Sequence, residues 1–149
     1  TRIYDADSVG DIRIGKGSVL KEGSDVGIIC CGVLVEKALK ATEMLSKEGV
    51  DCTVVDMHSI KPLDADLLRE LALKCGCFVT AEDHSVIGGL GSAVAEWVTK
   101  NNPCPVEMIG VPDKFGQSGS PGDLMSEMGL TSENIYSAAK SAINRKNDS

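Results

Sequence analysis

Val79-Thr80-Ala81-Glu82-Asp83-His84-Ser85-Val86-Ile87-Gly88-Gly89-Leu90-Gly91 reads as a buried strand that delivers polar groups to its carboxyl end and then turns toward a helix. Cys77 and Phe78 precede it, so an apolar run reaches Ala81 and stops abruptly at three polar residues, as a strand covered on both faces does. Gly88, Gly89 and Gly91 fall within four positions. A helical pattern follows from Ser92, with Ala93, Val94, Trp97 and Val98 on one face. In an open α/β sheet such a strand-to-helix crossing is where ligands and partner surfaces are met.

The same plan recurs on either side. Asp25 to Cys31 is a continuous apolar run ended by Gly32, and Leu34, Val35, Ala38, Ala41 and Leu45 predict an amphipathic helix that Gly49 stops with a left-handed residue. Cys52 to Val55 predicts a strand and Asp56 to Lys61 the loop beyond it, while Pro62 keeps the next helix from starting early. Asp64 is placed to cap that helix, Leu63 and Leu68 are spaced as a hydrophobic staple, and Leu67, Leu71 and Cys75 continue its buried face.

Downstream, Asn101-Asn102-Pro103 closes the helix that carries Trp97, which we assign to the core. Pro105 to Val111 is a fourth strand, Pro112 to Gly122 a long loop and Asp123 to Met128 a short helix. Thr131 caps a last helix lined by Ile135, Ala138, Ala139, Ala142 and Ile143. Upstream, residues 1–17 form an approach segment and Ser18 to Lys21 a short edge strand; Asn144 to Ser149 read as a frayed polar tail. Strands alternating with helices predict parallel strands with right-handed crossovers, hence one three-layer α/β/α domain over residues 1–149.

Bulk properties narrow the function. The 149 residues are 42% hydrophobic and 25% charged, which are globular values. A formal charge of -7 without a basic cluster argues against nucleic acid and anionic membranes. No apolar run approaches the roughly 20 residues of a membrane span, and the opening lacks the regions of a signal peptide. The chain begins at Thr1 with no Met, which suggests a fragment. Cys30, Cys31, Cys52, Cys75, Cys77 and Cys104 sit mostly in strand-like runs, where cysteine acts as a small hydrophobe, so a reduced, cytoplasmic protein is expected. Metal spacings such as C-x-x-C do not occur.

The residues with chemical capacity are Glu82, Asp83, His84 and Ser85, with Ile87, Gly88, Gly89 and Gly91 in the turn beyond. Successive residues on a strand point to opposite faces, so the three polar ones cannot all converge. One reading gives a carboxylate the task of orienting His84 or holding loop N–H groups; general acid/base catalysis and contact with a neighbouring domain are the others. The glycines either cradle an anion at a helix N-terminus or let the helix pack close to the sheet. A dinucleotide fingerprint fails, because the pattern comes late and Val94 stands where a third glycine belongs.

Ile14-Gly15-Lys16-Gly17, Gly49-Val50-Asp51, Ser59-Ile60-Lys61-Pro62-Leu63-Asp64, Thr80-Ala81-Glu82-Asp83-His84 and Gly88-Gly89-Leu90-Gly91 together resemble the carboxy-terminal domain of transketolases over nearly the whole chain. Phe115-Gly116-Gln117-Ser118-Gly119 and Gly129-Leu130-Thr131 resemble the microbial ending, including forms encoded as a separate carboxy-terminal section. The domain recurs in deoxyxylulose-phosphate synthase and in 2-oxoacid dehydrogenase beta subunits. The resemblance implies a Rossmann-like, mostly parallel five-stranded sheet with one antiparallel edge strand.

It also implies part of a transferase that moves a two-carbon ketol unit between sugar phosphates in the pentose phosphate pathway, with thiamine diphosphate and magnesium. In that family a Gly-Asp-Gly…Asn motif of the amino-terminal domain and a glutamate of the middle domain serve the cofactor, so no catalytic, cofactor-binding or metal residue is expected here. The implied partners are those two domains, fused or separate, within a homodimer. The carboxyl-edge loops, with Val86 and Ile87 as their apolar centre, are the expected contact. The other class of function left open is a free-standing α/β ligand-binding or regulatory module.

Overall fold

β2 (Val26–Cys30) is the middle strand of a five-stranded sheet because both of its faces are apolar: Val26, Ile28 and Cys30 enter one core and Ile29 the other, all fully buried. A computed structural model describes residues 15–58, 60–85, 88–111, 126 and 128–148. Around β2 the described chain runs β1 (Gly17–Lys21), α1 (Leu34–Ser46), β3 (Cys52–Met57), α2 (Ala65–Lys74), β4 (Phe78–Ser85), α3 (Leu90–Asn101), β5 (Val106–Val111) and α4 (Ser132–Asn147). The sheet order is β1-β3-β2-β4-β5, parallel throughout except that β1 pairs antiparallel with β3. The expected three layers and antiparallel edge strand are both present.

One core lies between the sheet and helices α1 and α4, the other between the sheet and α2 and α3. Leu34, Ala38 and Leu45 meet Ile135, Ala139 and Ala142 in the first, while Phe78 meets Leu68, Leu90 and Val94 in the second. Each fully buried large apolar side chain contributes about 1.5–3 kcal/mol. Trp97 packs on the second core half-buried, with the Arg69 guanidinium 6.0 Å from its ring centroid. All six cysteines are unpaired.

Several local signals act as expected. Gly49 adopts φ 80° and lets the Val50 N–H donate to Leu45 O at 3.0 Å, closing α1. Thr131 Oγ1 accepts from the Asn134 N–H at 3.2 Å. Asp64 Oδ1 accepts from Leu67 N–H at 3.2 Å, and its Oδ2 also accepts from Gly17 N–H at 2.9 Å. The cap of α2 therefore also pins the start of the edge strand.

Four boundaries differ from expectation, the first being β3, which continues past Val55 through Met57 because Asp56 and Met57 pair with Ser18 and Gly17 of the edge strand. β4 continues past Ala81 through Ser85, and α3 starts at Leu90, two residues ahead of Ser92. The polar tail expected from Asn144 is instead helical through Asn147, because Lys146 finds partners in the domain: its Nζ donates to Asp25 O at 2.8 Å and Cys75 O at 3.0 Å. The approach segment up to residue 14, Val86 and Ile87, the 112–122 loop and most of the short helix from Asp123 lie outside the described residues.

Candidate functional site

Sheet register decides which side chains meet. Cys30 aligns with Asp56 on β3 and with Ala81 on β4, so Cys31 and Glu82 emerge side by side at the carboxyl end. Phe78 enters the α2/α3 core and Val79 the α1/α4 core, and the alternation carries Glu82 to the α3 side and Asp83 toward the β2–α1 turn. A Cβ at Gly32 in that turn would stand 3.3 Å from Asp83 Oδ1. The two carboxylates therefore do not converge. His84 and Ser85 continue the β4 backbone, with Ser85 opposite Val111 on β5.

Glu82 is fully buried, and backbone N–H groups hold both of its oxygens: Oε1 accepts from Leu90 N–H at 2.8 Å and Oε2 from Gly91 N–H at 2.7 Å. Those are the first residues of α3, whose N-cap is Gly89 without a side-chain cap. A helix start carries partial positive charge and unpaired N–H groups, so a strand carboxylate beneath it satisfies both. Gly88 N–H donates to Ser92 Oγ at 3.1 Å and completes the turn. Gly91 is also a close-packing position, since a Cβ there would lie 2.9 Å from both Met108 Sδ and Thr80 Oγ1. Of the sequence readings of Glu82, holding the N–H groups of the turn and helix start is the one with geometry behind it.

Beside Glu82, the half-buried Cys31 thiol is pushed up to about 11, first by burial and then by the fields of Glu82, Asp83 and Asp56. It is a poor nucleophile near neutral pH. A further polar group went unrecognised in the sequence: His58 Nε2 lies 2.9 Å from Ser18 Oγ, and Nδ1 lies 3.5 Å from Asp56 Oδ1. Ser18 is the antiparallel partner of Asp56 on β3, so this cluster fastens the edge strand. The available signal was Asp56 and His58 at strand spacing beside a strand containing serine.

Among the described residues, a cleft of about 340 Å³ near the starts of α1 and α4 is lined by Val33, Glu36, Lys37, Lys40 and Ser132. It reaches the low end of ligand-site volumes but has a mixed-charge wall in place of an apolar one. No helix among those residues is long and apolar enough to cross a membrane.

The model of the transketolase C-terminal domain family matches residues 15–135. A 6-deoxy-6-sulfo-D-fructose transketolase subunit SqwH from Clostridium sp. (strain MSTE9) is 44% identical over 137 residues, 92% of this chain and 42% of that protein. A putative transketolase C-terminal section from Methanocaldococcus jannaschii is 40% identical over 134 residues, 89% of this chain and 42% of that protein. A 1-deoxy-D-xylulose-5-phosphate synthase from Trichormus variabilis is 42% identical over 125 residues, 83% of this chain but 20% of its own length.

Among solved structures, a split gene transketolase described as an inactive beta4 tetramer superposes with a TM-score of 0.90 at 47% identity, over 98% of this chain and 47% of that one. The chain thus spans less than half the length of these relatives. With the family model covering most of its residues, the chain belongs to the transketolase C-terminal domain family.

Proposed function

We propose that this chain is the non-catalytic assembly domain of a thiamine-diphosphate-dependent transketolase that transfers a two-carbon ketol unit between sugar phosphates. The reading rests on one observation: relatives named as transketolase subunits or sections match this chain over less than half their length, leaving another section to act as its partner. The partners are the amino-terminal and middle domains, on the same chain or a separate one, in a cytoplasmic homodimer of the complete enzyme. A synthase of deoxyxylulose phosphate is the second reading, because relatives with that name also match; it gives the domain the same role.

Thiamine diphosphate and magnesium do not fit the residues described here. The buried carboxylate, Glu82, has both oxygens bonded to backbone N–H groups, and those same N–H groups are the donors a diphosphate would need. No cluster of three His, Cys, Asp or Glu side chains among the described residues could hold a metal ion. Calorimetric titration of the chain with the cofactor and magnesium tests the reading: no measurable heat is expected, and micromolar binding, about 8 kcal/mol, would remove it.

A further inference from the structure

α3 begins as an anion site begins. A turn containing Gly88 and Gly89 leads into a helix of 12 residues, and in sheets of this kind phosphates bind at such a start. Here the donors are already engaged, with Leu90 and Gly91 N–H meeting the two oxygens of Glu82 at 2.8 and 2.7 Å. The arrangement is two parallel N–H donors to one planar carboxylate, sealed from solvent. A second group faces the same place. Thr80, one strand repeat before Glu82 and also fully buried, has a hydroxyl without a hydrogen-bond partner, 2.9 Å from where a Gly91 Cβ would be. Buried hydroxyls are ordinarily paired, so the helix start has polar capacity that the fold leaves unused.

The geometry points to an anion cradle at the start of α3, shaped for a carboxylate and occupied by the chain's own Glu82. Two consequences follow. The intact domain takes no phosphate from a sugar or nucleotide at this turn, because the internal ligand is tethered and outcompetes a free one. Removing the carboxylate exposes a site for a small free carboxylate such as formate, bound by the Leu90 and Gly91 N–H groups, with the unpaired Thr80 hydroxyl beside Gly91. None of this depends on which reaction the complete enzyme performs.

The test is thermal unfolding of the wild-type chain and of Glu82→Ala, followed by circular dichroism in formate, inorganic phosphate or neutral acetamide at constant ionic strength. Glu82→Ala is expected to melt roughly 10 °C lower, from two lost charge-assisted bonds, and to recover several degrees saturably in formate but not in acetamide. Wild type should show no saturable shift with formate or phosphate. Saturable stabilisation of wild type by phosphate, or indifference of Glu82→Ala to formate, overturns the proposal. If Glu82→Ala does not fold alone, formate-dependent recovery of the folded signal is the same readout, and failure to recover overturns it equally. Glu82→Gln fills the cradle with an amide, so it should be destabilised without formate rescue; rescue equal to that of the Ala variant would show a nonspecific effect and overturn the assignment.

Discussion

The two ends of the sheet are finished in different ways. At the amino end backbone carbonyls are closed from within: Lys146 Nζ bonds Asp25 O and Cys75 O, the Cys77 thiol reaches Asp25 O at 3.4 Å, and Thr53 Oγ1 bonds both the N–H and the carbonyl of Gly23 at 3.0 and 2.5 Å. At the carboxyl end the side-chain contacts lie under α3, through Glu82, and at the edge strand, through Ser18, His58 and Asp56, while Val33 is left 55% exposed in the β2–α1 turn. The long-range contacts at the amino end serve the domain itself, and we propose that the carboxyl end, where the β2–α1 turn leaves Val33 open, meets the partner.

The contrast can be broken first at Lys146. Lys146→Met keeps the apolar stem but removes a charged donor from two carbonyls, and should cost about 2 kcal/mol in urea unfolding while leaving association with a catalytic section unchanged. A loss of association at equal stability would mean that the amino end is also an interface. Under the carboxyl end, Thr80→Val keeps the shape and deletes the unpaired hydroxyl, so it should raise stability by about 1 kcal/mol. A decrease of that size would show that the hydroxyl has a partner, such as an ordered water.

The smallest effect concerns pH. Burial holds the Cys52 thiol up at about 12 and Cys77 at about 11, against an ordinary 9.0. The folded state therefore keeps protons that the unfolded chain releases above pH 9. This contribution is whole below pH 9 and is lost as pH rises through 11 to 12. Urea midpoints between about pH 7 and pH 11 should be flat and then fall, and Cys52→Ala with Cys77→Ala should flatten the fall. A midpoint that rose above pH 9 would contradict the assignment.

What was legible in the sequence was local. Asp64 and Thr131 as caps and Gly49 as a helix stop act within a few residues of their own positions, and the apolar runs that became β2, β3 and the first part of β4 announce their burial directly. Glu82 was legible as a polar residue at a strand end but not as a ligand of α3, because an extended stretch of Glu, Asp and His does not reveal which face meets the helix start. Lys146 looked like a tail residue because its partner Asp25 is 121 positions away, and only the packing of α4 on the sheet brings them together. The His58 to Ser18 contact depends likewise on the antiparallel register of β1, whose strand signal in the sequence was weak.

The most direct test of the account compares two exposed apolar side chains, Val33 at the carboxyl end and Leu73, 77% exposed on α2. Val33→Asp and Leu73→Asp would each be introduced into the complete enzyme, and subunit assembly measured by analytical ultracentrifugation, with folding of the domain checked by circular dichroism. Both variants should fold, and Val33→Asp should weaken assembly by about 2 kcal/mol, roughly thirtyfold, with Leu73→Asp unchanged. Unchanged assembly for Val33→Asp, or a larger loss for Leu73→Asp, would contradict the carboxyl end as the partner surface.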